Sequence, residues 1–151
     1  MEEESILIGL LIGLGVFLLI FGVIAVIFYV LQAIGLFKIA KQEGYEDKAW
    51  MAWVPIVNYF LLTLLVENDV HASMRGKFTL IYGITIAATI LLNWFIPPIG
   101  ILPLIVIVYG FYFLAERYST NAVAHVVIAA ITLSATIPIQ VFLFRNREPV
   151  N

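Results

Sequence analysis

Four long stretches of the chain contain no Asp, Glu, Lys or Arg: residues 5–37, 49–66, 78–115 and 118–144. Charged residues make up only 12% of the sequence and hydrophobic residues 63%, whereas a soluble domain has about 25% charged residues. So little polar surface excludes a water-soluble globular protein, and it excludes a disordered chain as well. The sequence therefore predicts a protein that resides in a membrane.

Charge and cysteine content narrow the class further. The net charge is −2 and no polybasic segment is present, so we expect no binding to nucleic acid. The absence of cysteine excludes disulfides, thiolate metal sites and thiol nucleophiles. The chain starts with an acidic segment, Glu2 to Glu4, whereas a secretory signal starts with a basic one. We therefore predict that this segment is not a cleaved signal peptide.

The uncharged stretches have the lengths of membrane helices, which need about 20 residues to cross a bilayer. They predict an all-α integral membrane protein, a single transmembrane domain built as a bundle of four to five transmembrane helices. The predicted helices cover about 6–42, 48–66, 77–96, 100–117 and 121–144. Pro55 lies inside the second of them. Because proline removes one backbone hydrogen bond, we expect that helix to be broken or kinked there.

Lysine and arginine near the helix ends predict the orientation. Lys38, Lys41 and Lys48 follow the first helix, which places the first loop in the cytoplasm and the acidic N-terminus outside a bacterial plasma membrane. If all five helices cross, the C-terminus is cytoplasmic. If the second helix enters and returns on the same side, Arg145 and Arg147 lie on the outer face directly after the last helix. We therefore favour five crossings and a cytoplasmic C-terminus.

One segment is distinctive: Lys48-Ala-Trp is followed by Val54-Pro-Ile-Val-Asn58. It resembles a motif, Lys-Ala-Trp and then Ile/Val-Pro-Ile-x-Asn, of an uncharacterised family of small bacterial multi-span membrane proteins. The resemblance extends more loosely to the end of the chain. It departs at Val57, where the family often has an aromatic residue. The resemblance implies a multi-span membrane fold, and it implies no activity, ligand or catalytic residue.

The same segment also has a direct physical interpretation. Trp50 and Trp53 are three residues apart on one helix face, and with Lys48 beside them they are typical of an anchor at the headgroup level. Pro55 frees a backbone carbonyl one turn back, and the amide of Asn58 is able to satisfy such a group. We predict a structural kink with an interface anchor. The alternative is that the broken helix and Asn58 line a polar binding cavity, as discontinuous helices do in transporters.

Two further pairs of residues indicate contacts between helices or with partners. Gly9 and Gly13 form a small-x-x-x-small face in the first helix, which favours close helix packing in a membrane. Glu116 and Arg117 form a charged pair beside a helix end, and they are the candidate residues for contact with a partner.

His125 is predicted to lie near the membrane interface and to hold no metal.

Covalent or proton chemistry within the bilayer is not indicated. No charged residue lies at the centre of a predicted helix, and no known catalytic motif is present. We therefore predict that the protein is not an enzyme and has no catalytic, metal or cofactor site.

The leading hypothesis for its function is an accessory, regulatory or assembly subunit of a larger membrane complex, or a homo-oligomer. One alternative is a small oligomeric channel or carrier. Its path would be lined by Asn58, the break at Pro55 and the hydroxyl residues within the helices, Thr85, Thr89, Thr132, Ser134 and Thr136. A second alternative is an immunity or tolerance factor against a membrane-active peptide. The predicted partners are the lipid bilayer and either another membrane protein or a second copy of the chain.

Overall fold

The regular structure of the protein is helical. The computed structural model describes residues 2–150, and in that range it contains no β-strand. Its α-helices are α1 (Glu2–Gln42), α2 (Val57–Leu65), α3 (Phe78–Leu92), α4 (Leu102–Tyr118), α5 (Ala122–Ile131) and α6 (Ile137–Phe144). Two 3₁₀ helices, Glu46–Trp53 and Pro97–Ile101, precede α2 and α4. The predicted all-α class is therefore confirmed.

Two helical stretches of the described range are long and apolar enough to cross a membrane, Glu2–Gln42 and Pro97–Tyr118. The helix α1 is continuous over 41 residues, a length of about 60 Å at 1.5 Å per residue. It is exposed from residue 2 to residue 27, and it is buried on one face from Gln32 onward. Only the C-terminal part of α1 therefore packs against the rest of the chain.

The segment predicted as one helix, residues 48–66, is interrupted at Pro55. A residue before proline is pushed out of the helical region, and Val54 accordingly is extended, with φ −107° and ψ 117°. Ile56 then takes a left-handed φ of 70°. The result is a complete interruption, with a 3₁₀ helix before it and α2 after it. We call these two halves the first hairpin (residues 46–65).

The two halves of the first hairpin run in opposite directions. The 3₁₀ half leaves the end of α1 and runs back along it, since the hydroxyl of Tyr29 donates a hydrogen bond to the carbonyl of Trp53. The α2 half returns, since its last carbonyl, that of Leu65, accepts a hydrogen bond from Arg117 at 3.3 Å. Arg117 also pairs with Glu43, which directly follows α1. The hairpin therefore begins and ends at the same end of the molecule.

The helices α3 and α4 form an antiparallel pair. α3 begins beside the base of the first hairpin, where the hydroxyl of Thr79 donates a hydrogen bond to the carboxylate of Glu67 at 2.7 Å. The chain reverses through residues 93–96 and the 3₁₀ helix Pro97–Ile101, whose two prolines cannot continue α3. α4 then runs back to the end of the molecule from which α3 started, where it carries Arg117.

The segment predicted as one last helix, residues 121–144, is also broken in two. The helices α5 and α6 are separated by residues 132–136, where Leu133 and Ser134 take left-handed φ values of 49° and 69°. Pro138 lies in the first turn of α6, where its missing N–H would have no helical partner in any case. The proline therefore starts a new helix instead of kinking a continuous one. We call α5, α6 and the turn between them the second hairpin.

The second hairpin also returns to the end from which it started. Arg147 donates a hydrogen bond to the carbonyl of Tyr118 at 3.3 Å, and the backbone N–H of Val150 donates one to the carbonyl of Arg117 at 2.8 Å. α5 packs on α4, and α6 packs on α1. The end of α6 thus lies beside the end of α4, whereas a single crossing helix would place the two ends on opposite sides.

These connections gather the basic residues at one end of the molecule, which we call the charged end; the acidic segment Glu2 to Glu4 lies at the other end. All eight basic residues lie there: Lys38, Lys41, Lys48, Arg75, Lys77, Arg117, Arg145 and Arg147. The opposite end consists of the N-terminal part of α1 and the uncharged turn 93–96. In this fold two of the five predicted helices turn back, which the sequence does not show. The number of membrane crossings stays a prediction.

The helices α1 and α6 approach each other closely at Gly35. A Cβ atom there would lie 2.8 Å from the backbone carbonyl carbon of Val141, well inside the 3.5–4.0 Å or so at which carbon atoms attract one another. The sequence analysis assigned close packing to Gly9 and Gly13 instead. A Cβ atom at either of these two positions would meet nothing within 4 Å.

We expect Gly35→Ala to destabilise the protein, because the added methyl group forces α6 away from α1. Overpacking of this kind costs about 1–3 kcal/mol. The free energy of unfolding in detergent measures the effect. Gly22→Ala is the matched control, because its methyl group meets open space, and we expect no loss of stability from it. Equal stability of the two variants would contradict the packing of α6 on α1.

Candidate functional site

A cavity of about 570 Å³ lies where the two hairpins meet α1 and α4. It is lined by α1 between Ala25 and Gln32, by the tip of the first hairpin between Pro55 and Tyr59, by the start of α4 between Pro103 and Ile107, and by the tip of the second hairpin between Leu133 and Pro138. Tyr82 of α3 completes the wall. We call it the break cavity, because both interruptions of the helices face it.

The break cavity contains the predicted pair Pro55 and Asn58. Pro55 produces the interruption, and Asn58 is the second residue of the helix that follows, with 2% of its surface exposed. The backbone N–H of Asn58 is paired with the carbonyl of Val54 at 3.0 Å. The side-chain oxygen of Asn58 has no partner. The expected hydrogen bond from the side-chain amide to a carbonyl freed by the proline stays a prediction, and the amide oxygen is buried without a partner.

Three buried side-chain atoms in the described part of the chain have no hydrogen-bond partner: Nε2 of Gln32, Oδ1 of Asn58 and Oγ of Ser134. All three residues line the break cavity. Gln32 and Asn58 are each 98% buried, with 2% exposure, and the hydroxyl of Tyr59 lies near Gln32. An unsatisfied buried polar group costs about 1–3 kcal/mol. The three residues make the break cavity the candidate site for a polar group.

The lining residues determine which polar groups fit. No Asp, Glu, Lys or Arg lines the break cavity, so a charged ligand would find no counter-ion there. Four aromatic side chains do line it: Phe28, Tyr29, Tyr59 and Tyr82. The volume lies within the range of small-molecule sites, which is about 300–1,000 Å³. The cavity therefore suits an uncharged molecule that both donates and accepts hydrogen bonds.

Arg117 is the centre of the charged end. Its guanidinium pairs with Glu43 and Asp69 and donates a hydrogen bond to the carbonyl of Leu65. Glu43 also accepts a hydrogen bond from the hydroxyl of Tyr118 at 2.6 Å. The side chains of Arg117 and Glu43 are only 20% and 11% exposed. This network joins the ends of α1, α2 and α4, so its role in the described structure is intramolecular.

The side chains of the predicted partner-contact pair, Glu116 and Arg117, thus point in different directions. Arg117 faces into the protein, whereas Glu116 is exposed and accepts a hydrogen bond from the hydroxyl of Tyr112 at 3.5 Å. Of the two residues, Glu116 is the one that an outside partner can reach.

The predicted interface anchor lies on the 3₁₀ half of the first hairpin. The side chain of Trp50 is exposed, and so is that of Trp53. Lys48 places its ammonium 5.6 Å from the ring centre of Tyr45, and Trp53 packs edge-on against Phe37 with ring centres 6.4 Å apart. The exposed indoles therefore lie along one arm of a hairpin, next to α1, and Trp53 is close to the hairpin tip.

Two polar residues of the structure, Gln32 and Gln140, were not singled out from the sequence, whereas Ser134 was among the hydroxyl residues of the carrier alternative. Gln32 is the one side-chain amide in the uncharged stretch 5–37, and that signal was available. Ser134 lies in a polar turn that was expected to be helical. Gln140 is buried, and its side-chain oxygen contacts the imidazole of His125 at 2.6 Å, which links α6 to α5. In the described range no group of three or more potential ligands is placed to hold a metal ion.

Comparisons with known protein families, with curated proteins and with solved structures give no match for this chain.

Proposed function

We propose that the protein crosses a bacterial plasma membrane with α1, α3 and α4, and that both hairpins enter from the charged end and return to it. This proposal replaces four to five crossings with three crossings and two re-entrant hairpins. Exposed apolar side chains on α3, α4 and α5 support it. In lipid, irregular backbone is tolerated only where protein buries it or where it lines a cavity, and both hairpin tips line the break cavity.

The charges support one orientation. Cytoplasmic loops carry an excess of lysine and arginine, and all eight of these residues lie at the charged end. We therefore propose that the charged end is cytoplasmic and includes the segment after α6, and that the N-terminus and the turn 93–96 are extracytoplasmic.

We infer that the protein binds an uncharged molecule in the break cavity, in the manner of a carrier. The observation that carries this proposal is the convergence of three unpartnered polar atoms on one cavity. The rise along α1 from Glu43 to Gln32 is about 16 Å, close to half of a hydrocarbon core of about 30 Å. Discontinuous helices form the binding sites of many transporters at this depth. The carrier alternative of the sequence analysis is therefore the proposal that the geometry favours.

A separate observation supports a second candidate function, that of a subunit or homo-oligomer. Residues 2–27 of α1 contact no other part of the described chain closely enough to be buried, and they form an apolar helix about 38 Å long. Gly9 and Gly13 lie in this segment with open space around them. In lipid, small residues permit the close backbone approach that stabilises a helix pair. The segment is thus available to a second copy of α1 or to another membrane helix.

The topology predicts the reactivity of single cysteines, and the chain offers a clean background because it contains no cysteine. We expect Ser119→Cys and Asn146→Cys to be protected from a membrane-impermeant maleimide in intact cells and labelled after lysis. Trp94→Cys is expected to be labelled in intact cells. External labelling at residue 146 with protection at residue 119 would show that the last segment crosses the membrane and would rule out the second hairpin.

We expect Asn58→Leu to stabilise the ligand-free protein in detergent by about 1 kcal/mol, because it removes an unsatisfied buried oxygen. Gln140→Leu is the matched control: Gln140 is also a buried amide, but its partners are His125 and Thr136, so its loss lowers stability. Thermal unfolding measures both variants. If Asn58→Leu destabilises the protein as much as Gln140→Leu does, Asn58 has a structural role and the ligand proposal fails.

The same variants test binding directly. We expect uncharged amides and alcohols, from acetamide and glycerol to long-chain monoacylglycerols, to include compounds that raise the unfolding temperature of the wild type. Asn58→Leu is expected to abolish that increase. If no compound in the panel raises the temperature for the wild type, the proposed function is contradicted.

Self-association through α1 predicts that Gly9→Ile combined with Gly13→Ile lowers the dimer fraction in liposomes, measured by energy transfer between labelled copies. Gly22→Ile is the control, because Gly22 is also exposed but lies on the opposite face of the helix, about 160° away. An unchanged dimer fraction in the double variant, or an equal loss in the control, would contradict a glycine interface.

A further inference from the structure

A second cavity adjoins the break cavity. It is a groove of about 550 Å³ between α4 and α5, which we call the α4–α5 groove. The two cavities share Leu104 and Leu133 in their walls. The groove and the break cavity are therefore neighbours, and the side chains of Leu104 and Leu133 lie between them.

The α4–α5 groove is apolar along its whole length. It follows α4 from Ile101 to Phe113 and is closed on the other side by residues of α5 such as Val126 and Ala130. The rise along α4 between its two ends is about 18 Å, similar to the thickness of one leaflet of the hydrocarbon core, about 15 Å. No charged residue lines the groove. These dimensions and this chemistry match an aliphatic chain.

The unpartnered atoms in the break cavity define the other end of the ligand. Oδ1 of Asn58 is an acceptor and requires a donor, whereas Nε2 of Gln32 is a donor that already has the hydroxyl of Tyr59 as a hydrogen-bonding neighbour. The hydroxyl of Ser134 is able to do both. A hydroxyl group or an amide satisfies these requirements together, and a hydrocarbon or an ester alone does not.

We propose that the ligand of this protein is an uncharged lipid whose hydroxyl or amide head lies in the break cavity and whose chain lies in the α4–α5 groove. The proposal rests on the proposed function and specifies its substrate class: long-chain alcohols, acylglycerols and fatty amides. Such a lipid enters sideways from the bilayer, because Ile56 and Leu133 at the mouth of the break cavity are 64% and 68% exposed.

The depth of the break cavity selects uncharged heads over phospholipids. A lipid bound in this way has its head about 16 Å from the charged end and its chain directed back toward that end, opposite to a phospholipid of the cytoplasmic leaflet. A phosphate or ammonium group loses its hydration at that depth and finds no counter-ion in the lining. The desolvation of a hydroxyl or amide group costs much less free energy, and the side chains of Gln32 and Asn58 replace its hydrogen bonds to water.

The experiment uses the full chain in phosphatidylcholine nanodiscs and a 1-monoacylglycerol with a diazirine in its acyl chain. After irradiation, we expect cross-links to residues of the α4–α5 groove, located by mass spectrometry. Excess monoacylglycerol of the same chain length is expected to compete, and phosphatidylcholine is not. Uniform labelling of all exposed apolar surfaces would overturn the proposal.

Two variants separate the head from the chain. Ala130→Trp fills the groove, and Asn58→Leu removes the acceptor for the head; we expect each to lower cross-linking about tenfold, the effect of losing one well-placed contact. Ala124→Trp is the matched control, because Ala124 is exposed on α5 and lines neither cavity. Its cross-linking is expected to equal that of the wild type, and the thermal midpoints verify that all three variants are folded.

The outcomes distinguish this inference from the proposed function. If short compounds such as acetamide or glycerol stabilise the wild type and not Asn58→Leu, while Ala130→Trp leaves monoacylglycerol labelling unchanged, the cavity binds a small solute and the lipid inference is wrong. If neither short nor long compounds depend on Asn58, both proposals fail.

Discussion

The confinement of all lysine and arginine residues to one end of the molecule is the constraint on which the rest of the fold depends. Arg117, paired with Glu43 and Asp69, joins the ends of α1, α2 and α4 there. Moving such a cluster into lipid would cost several kcal/mol for each ion, so the cluster fixes the position of this end relative to a membrane. Each segment that leaves it either reaches the other side without a charge, as α3 and α4 do, or turns back, as the two hairpins do.

A chain that turns back within an apolar environment also needs hydrogen-bond partners for the backbone groups of the turn. A turn leaves backbone groups without helical partners, and lipid does not supply any. Some of these backbone groups find a partner within the turn itself. The hydroxyl of Thr132, for example, donates a hydrogen bond to the carbonyl of Ile128 at 2.7 Å. It also places both tips against α1, so that the irregular backbone lines one cavity. Polar atoms of Gln32, Asn58 and Ser134 remain unpaired there, and this is the reason for proposing that another molecule occupies the break cavity.

The features that depend on local sequence were predictable, and the direction of the chain was not. Composition predicts the all-α class, and a proline within an apolar helix predicts an interruption at Pro55. Neither shows whether the chain continues or reverses, because that depends on pairs such as Arg117 with Glu43, which lie far apart in the sequence. Glycine spacing in α1 is similarly ambiguous: Gly9 and Gly13 have the recognisable pattern, but Gly35 is the residue that a neighbouring helix touches.

The central claim is that the side-chain amides of Gln32 and Asn58 face an occupant of the break cavity that does not belong to the protein. Nuclear Overhauser measurements test it most directly, on perdeuterated protein with protonated amides in nanodiscs of protonated lipid supplemented with monoacylglycerol. The account predicts cross-peaks from both side-chain amides to aliphatic protons of the added lipid. Cross-peaks only to water or to amide and hydroxyl protons of the protein itself would contradict it, because both amides would then be satisfied without a ligand.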